Sequence, residues 1–369
     1  MLILRFLISL AKVLLITFVF ILIIDFFFGK KILEKFDNFF SKSQFYERLI
    51  RIDHPIYHHT LRDNVKYSNN VSFTGTYELC TNNHGFKSEC NQQDDKNYEF
   101  AFLGDSFTEG TPIEYKETFV GLFADQTNFK TANLGVVSYS PKIYLSKINH
   151  LLDQGYKFNH IIVFIDISDF YDDTNFYSID KNLVVSEKYS KEKNLKRRKF
   201  LRNNFPLTNF YMFVIKKYKI KKNISEMNTE NEFPSFTDKV NLKAKWTYSK
   251  TNIIDGYDIG IDEGHDIMVN HMIDLHKILS KKNIKMSLAV YPWPHQLSYD
   301  VVNSVHVNIW QNFCENRCEN FINYFPFFFN EVKKTSFLKI YKKYYFNNDP
   351  HFNKEGHKAL ADKLIEIFK

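Results

Sequence analysis

The chain has 369 residues and a mass of 44.0 kDa, with 44% hydrophobic and 25% charged residues, 12 Gly and 9 Pro. That balance excludes a disordered, a collagen-like or a small disulfide-stapled chain and leaves room for one large α/β domain or two ordinary ones. The formal charge of +7 is uneven: residues 181–222 hold 14 Lys/Arg against 2 Glu and the rest 35 against 40, so one basic segment sits on a slightly acidic body.

At the amino terminus, residues 6–28 (FLISLAKVLLITFVFILIIDFFF) are apolar apart from Ser9, Lys12, Thr17 and Asp25. About 20 helical residues cross a bilayer's hydrocarbon layer. The run ends in Phe26-Phe27-Phe28-Gly29-Lys30 rather than a small-x-small site, so residues 1–29 are expected to be an uncleaved signal anchor, not a cleavable signal or a core helix. Arg5 and Lys12 precede the apolar centre and Lys30, Lys31 and Lys35 follow it, so charge bias does not set the orientation. The cysteines do more: Cys80 and Cys90 lie ten apart, Cys314 and Cys318 four apart, an even number that suits disulfides in an oxidising space. Buried thiols and metal ligation are the alternatives, the latter without a Cys-x-x-Cys or a His at finger spacing. The body is expected to be extracytoplasmic, periplasmic in a Gram-negative cell.

Residues 30–97 are polar and turn-rich (Asn69-Asn70, Gly75, Asn82-Asn83-His84-Gly85) and read as a lead-in of hairpins and loops. From Tyr98 short apolar runs alternate with helical periodicity. These are YEFAFLG (98–104), a helix from about Glu117, TANLGV (131–136), a helix from Pro141 and HIIVFID (160–166). The rhythm resumes with a stripe at Ile267, Met268, His271, Met272, Leu275, Ile278 and Leu279, then IKMSLAVY (284–291), a helix through Trp310, NFINYF (320–325) and a last helix from Lys354. Such alternation predicts parallel strands with crossover helices, an open α/β sheet over residues 98–369. Residues 170–260 break it and read as an insertion with a basic helical segment. That segment suits a solvated face, or contact with anionic lipid or an acidic polysaccharide through the aromatic and basic run Phe210–Lys222. No nucleic-acid module accompanies it.

The chemistry lies at two sites far apart in sequence. Gly104-Asp105-Ser106-Phe107-Thr108-Glu109-Gly110 follows the first core strand, so Ser106 falls on a strand-to-helix turn at the carboxyl edge of the sheet, where ligands bind and where a helix amino terminus favours developing negative charge. A Ser capping a helix is the plainer alternative. A serine nucleophile needs a base and the base an orienting carboxylate. Asp349 and His351, two apart in Asn347-Asn348-Asp349-Pro350-His351 before the last helix, supply both types.

On GDSFTEG and DPHFNKEGH the chain resembles the SGNH (GDSL-like) hydrolase superfamily over roughly residues 75–369. Thr81-Asn82-Asn83-His84-Gly85-Phe86 and Tyr291-Pro292-Trp293-Pro294 resemble a membrane-anchored bacterial subgroup. The resemblance implies a flavodoxin-like three-layer α/β/α fold, with Ser106 as nucleophile, His351 as general base then acid, and Asp349 orienting it. It also implies an oxyanion site at Ser106, Ser138 and Ser168. Ser138 stands where the family has Gly and Ser168 where it has Asn. Asp105, Gly135, Asp169 and His295 are expected to line the substrate cleft. No cofactor and no metal are implied, since Asp166, Asp169, Asp172 and Asp173 lack a Gly-containing ligand loop and read as a solvated strand end.

These expectations describe a membrane-anchored serine esterase or O-acyltransferase. Its partners would be an acylated glycan or other ester substrate, inner-membrane lipid and a membrane acyl-donor protein, with no nucleic acid. The alternative is a catalytically weak glycan-binding accessory protein of polysaccharide modification or export.

Overall fold

The computed structural model describes residues 2–36, 50–72, 75–188, 200, 204–208, 211, 241–347 and 349–369. Two units make up the chain, residues 1–42 with 189–232, and residues 43–188 with 233–369.

In the first unit, helix α1 (Leu2–Phe36) contains a 21-residue stretch, Ser9–Gly29, of mean hydropathy 2.6. It has the length and composition of a membrane anchor or a signal sequence, and side chains such as Phe18, Phe20 and Phe27 stand exposed on it. Asp25 interrupts the apolar run because it caps another segment. Its two carboxylate oxygens accept the backbone N–H groups of Leu207 (2.8 Å) and Thr208 (2.7 Å), in the helical turn 206–208. Residues 189–199, 201–203, 209–210 and 212–240 lie outside the described residues, and with them most of the basic segment 181–222 and all but Tyr211 of the Phe210–Lys222 run.

The second unit opens with two antiparallel hairpins, β1 (Arg51–His54) with β2 (His58–Leu61), and β3 (Lys66–Ser72) with β4 (Gly75–Cys80). The turn Asn82–Phe86 follows. Asn82 Oδ1 accepts the N–H of both His84 and Phe86 at 3.0 Å, and Gly85 sits at φ 72° where a methyl group would lie 2.5 Å from the Leu61 carbonyl oxygen.

Strands β5 (Asn97–Leu103), β6 (Thr131–Asn133), β7 (Lys157–Ile165), β10 (Lys285–Val290) and β11 (Phe321–Asn323) form one parallel sheet in the order β11-β10-β7-β5-β6. A small hairpin, β8 (Tyr177–Ile179) and β9 (Val185–Glu187), lies within the inserted region. The sheet is apolar on both faces: Ala101, Phe102, Leu103, Ile161 to Ile165 and Leu288 to Val290 are all fully buried, as strands covered by helices on both sides must be. In order along the chain the five strands follow the flavodoxin-like pattern 2-1-3-4-5.

Right-handed crossovers then dictate the layers. Helix α3 (Phe119–Thr127) carries the chain one way, from β5 to β6. Helices α4 (Pro141–Asp153) and α6 (Ile261–Lys281) carry it back the other way, on the opposite face. The terminal helix α11 (Lys354–Phe368) packs on α3, and α4 packs on α6, which completes a three-layer α/β/α body. The order in which successive strands are added reverses between β5 and β7, and the crevice at their carboxyl ends is the ligand position of this fold.

Two short helices flank that crevice: α2 (Ser106–Glu109) after β5 and α5 (Ile167–Tyr171) after β7. The helix expected through Trp310 is two, α7 (Pro294–Tyr299) and α8 (Val305–Cys314). The break lies where Ser304 caps α8 through the His306 N–H and donates to Asp300 at 2.6 Å. Helices α9 (Phe325–Lys334) and α10 (Phe337–Tyr344) lead to the last loop.

Candidate active site

Ser106 is the first residue of α2, a single turn closed by Gly110 at φ 74°. At this position its N–H has no acceptor within the turn. Asp105 caps the turn through the Phe107 N–H (2.9 Å) and its other oxygen stands 3.2 Å from Ser106 Oγ. Lys87, which follows the Asn82–Phe86 turn, is buried and donates through Nζ to the carbonyls of Gly110 (2.8 Å) and Ile113 (2.5 Å); burial pulls its ammonium down to about 8.

The loop between α10 and α11 brings the partners. Tyr345 and Phe352 form a bridge, and Phe346 N–H donates to the His351 carbonyl at 2.9 Å, so the two arms of the loop are tied together beside His351. Within it His351 Nδ1 meets Asp349 Oδ1 at 2.5 Å, and His351 Nε2 meets Ser106 Oγ at 2.8 Å. A carboxylate accepts, so Nδ1 carries the proton and the Nε2 lone pair faces the serine hydroxyl. The ring rests on Phe107, with centroids 4.6 Å apart. Burial pulls the imidazole down, but the hydrogen bond and charge of Asp349, with the charges of Asp105 and Asp166, outweigh it and leave His351 above the usual value. The geometry can therefore take a proton from Ser106 and hold it beside a carboxylate.

Ser138 belongs to the loop after β6. Its φ of 62° is the left-handed backbone that a glycine would adopt without strain. The loop is tied to the Ser106 turn: Val136 N–H donates to the Gly104 carbonyl (3.3 Å) and Val137 N–H to Glu109 Oε2 (3.0 Å). Ser168 is the second residue of α5 and is 3% exposed, but its N–H is spent on Asp166 Oδ1 at 2.7 Å, which leaves its hydroxyl as the donor on offer.

The chain is similar to solved esterases and to lipolytic proteins of the G-D-S-L family. An esterase from Pseudoalteromonas sp. aligns at 11% identity over 74% of this chain and 96% of its own, with a TM-score of 0.34. A lipolytic protein of the G-D-S-L family from Veillonella parvula aligns at 12% identity over 73% and 97%, with a TM-score of 0.39. An acetylxylan esterase from Geobacillus stearothermophilus aligns at 11% identity over 73% and 93%, also at 0.39. No family model and no curated protein matches the sequence. With TM-scores below 0.5, the site rests on the chain's own geometry.

The expected cleft residues divide. Asp105 touches Ser106. Gly135 is buried beneath the turn, where a methyl group would lie 2.6 Å from the Glu109 nitrogen, so it permits close packing rather than lining a cleft. His295 is 0% exposed beside Trp293, inside the body and neither at the surface nor on the crevice wall. Asp169 is also 0% exposed and accepts from the Tyr144 hydroxyl at 2.9 Å.

The acidic residues after β7 are not a solvated strand end. Asp166 caps α5 and accepts from Trp293 Nε1 (2.9 Å); Asp172 pairs with Lys243 (2.7 Å); Asp173 accepts from Ser140 Oγ, the Lys142 N–H and His271. Each is buried because its partner arrives from a distant segment. Carboxylate oxygens of Asp105, Asp166 and Asp169 lie within 4.8 Å of one another, close enough for one cation. Burial first, then the neighbouring Asp166, raises the carboxyls of Asp105 and Asp169 above their ordinary range.

Cys80 bonds to Cys90 and Cys314 to Cys318. Two contributors carry no signal in the sequence: Arg51, whose guanidinium forks onto Glu109 at 2.5 and 2.6 Å, and His59, on the Val137 carbonyl at 2.8 Å. Both come from the first hairpin, and neither belongs to a recognisable motif.

Proposed function

We propose that this chain is a serine esterase or O-acyltransferase of the SGNH type, anchored in a membrane by α1. The observation that carries the reading is the continuous Asp349–His351–Ser106 relay at the crevice where the sheet order reverses. Ser106 Oγ attacks the acyl carbonyl carbon while His351 Nε2 takes its proton. The N–H groups of Ser106 and Ser138 and the Ser168 hydroxyl hold the oxyanion. Collapse breaks the ester bond, and the leaving alcohol takes the proton back from His351. Water, or a sugar hydroxyl, is then deprotonated by His351 and attacks the acyl-enzyme carbon; the bond to Ser106 Oγ breaks and Oγ takes the proton back from His351. Hydrolysis and transfer differ only in that last acceptor.

The proposed substrate is an acylated glycan of the cell envelope, with an extracytoplasmic body that two disulfides suit, and a membrane acyl-donor protein as the source of acyl groups in transfer. Inner-membrane lipid is the proposed neighbour of the basic insertion, whose described turn 206–208 is capped by Asp25 of the apolar helix. The full chain in detergent should hydrolyse an aryl acetate, and an added oligosaccharide acceptor should divert part of the acyl flux if transfer is the natural reaction. An inactive wild-type chain would overturn the reading. A glycan-binding accessory role is favoured by one observation, the Ser168 donor in place of an amide; glycan affinity without turnover would support it.

A further inference from the structure

The hairpin that precedes the catalytic sheet reaches the oxyanion loop from two sides. From β2, His59 Nε2 lies 2.8 Å from the Val137 carbonyl oxygen. A carbonyl only accepts, so Nε2 carries the proton and Nδ1 is the acceptor, facing His58 Nδ1 at 2.7 Å. Burial, then the neighbouring His58, pushes His59 down to about 3 and keeps it neutral in this tautomer. The Tyr139 hydroxyl closes the circuit by donating to the His59 carbonyl at 2.6 Å. From β1, Arg51 holds Glu109, which takes the Val137 N–H at 3.0 Å. Both backbone polar groups of Val137 are therefore bound by side chains.

The consequence falls on the next atom. In a trans peptide the N–H of residue 138 points opposite to the carbonyl of residue 137. Holding that carbonyl fixes where the Ser138 N–H points. The alternative is close at hand, because turning the Val137–Ser138 peptide over would carry Ser138 from φ 62° to about −120°, an ordinary extended value that a serine prefers. The flip would relieve the strained backbone and put a carbonyl oxygen where the N–H had been. Something must favour the strained orientation, and the hydrogen bond from His59 does so.

We propose that His59 is a positioning residue for the oxyanion site, its Nε2–H bond to the Val137 carbonyl selecting the peptide orientation that presents the Ser138 N–H to the reacting acyl group. The proposal rests on the esterase reading above. Histidine suits the task because its neutral ring can donate from Nε2 while Nδ1 is held by a second histidine.

The test compares the full chain with His59→Met, which fills the space without a donor, and His59→Gln, whose amide donates from near the Nε2 position, on an aryl acetate in detergent. Thermal unfolding serves as the check on folding, and Ser106→Ala as the blank. His59→Met should lose kcat by roughly 10²-fold, the lower range for loss of one oxyanion donor, with KM within about 3-fold; His59→Gln should regain most of it. Ser138→Gly added to His59→Met should also recover about 10-fold, since glycine accepts the positive φ without strain. A merely structural role for His59 gives neither rescue. Wild-type kcat in His59→Met, equal losses in the Met and Gln variants, or a loss carried by KM alone would overturn the proposal while leaving the esterase reading intact. An inactive wild-type chain would overturn both.

Discussion

Ser106 Oγ and His351 Nε2 stand 2.8 Å apart although 245 residues separate them. The sheet makes this possible: β5 delivers Ser106 to its carboxyl edge, and the Tyr345–Phe352 bridge closes the loop that carries His351 to the same edge. The pair therefore depends on the whole body being folded, whereas the Asp349–His351 contact is local.

The pH dependence should follow His351. The proposed reaction needs its neutral form, and the net upward shift, burial opposed and outweighed by Asp349, Asp105 and Asp166, places the expected acid limb of kcat/KM above the ordinary histidine value of 6.5. Asp349→Asn should move that limb to lower pH and cut kcat by about 10⁴ through loss of the productive tautomer. The linkage has the matching sign. A raised folded pKa contributes stability that is full below the unfolded value and lost as pH rises through the folded one. Urea unfolding of wild type against Asp349→Asn should therefore show a gap that is larger at low pH and narrows as pH rises. A gap that widens with pH would contradict it.

Arg51 and Glu109 supply a stability prediction. Glu109 is fully buried; burial pushes its carboxyl up, but the charge and hydrogen bonds of Arg51, with Lys87 and the Val137 N–H, outweigh this and hold it below its usual value of 4.5. Such a group stabilises the fold above its unfolded pKa and loses that contribution as pH falls through the lowered one. Arg51→Met leaves the carboxylate buried without its guanidinium, at a cost of about 3 kcal/mol, the low end for a broken buried pair because Arg51 is partly in water and the Val137 N–H remains. Adding Glu109→Gln should recover much of it. Urea midpoints measure both, and additive losses would contradict the pairing.

The two disulfides should not contribute equally. Chain-entropy arithmetic gives roughly 2.7 kcal/mol for the ten-residue closure at Cys80–Cys90 and about 1.9 kcal/mol for the four-residue closure at Cys314–Cys318. Replacing each pair by serine and following denaturant unfolding should rank them in that order. The reverse ranking would show that local packing outweighs chain entropy here.

Much of this architecture was legible in the amino-acid sequence, for reasons that particular residues illustrate. The runs 98–104, 131–136, 160–166, 284–291 and 320–325 each meet a strand of the parallel sheet, because a strand covered on both faces must be continuously apolar. Ser106, Asp349 and His351 stand out because their chemistry is carried in short local motifs. His295, expected on the substrate cleft, and the aspartates after β7, expected at a solvated strand end, are buried instead, since polarity suggests exposure until a partner such as Lys243 or His271 arrives from elsewhere in the fold. Arg51 and His59 were invisible for the same reason. Nothing near them in the chain announces Glu109 or the Val137 carbonyl, and only the packed hairpin brings them there.

The most direct test of the central claim is covalent. The full chain in detergent, treated with a serine-reactive fluorophosphonate and mapped by mass spectrometry, should carry the label on Ser106. Ser106→Ala should take none, and His351→Ala should be labelled at least about 10³-fold more slowly, as expected for loss of the general base. Labelling elsewhere, or equal rates in wild type and His351→Ala, would contradict the account.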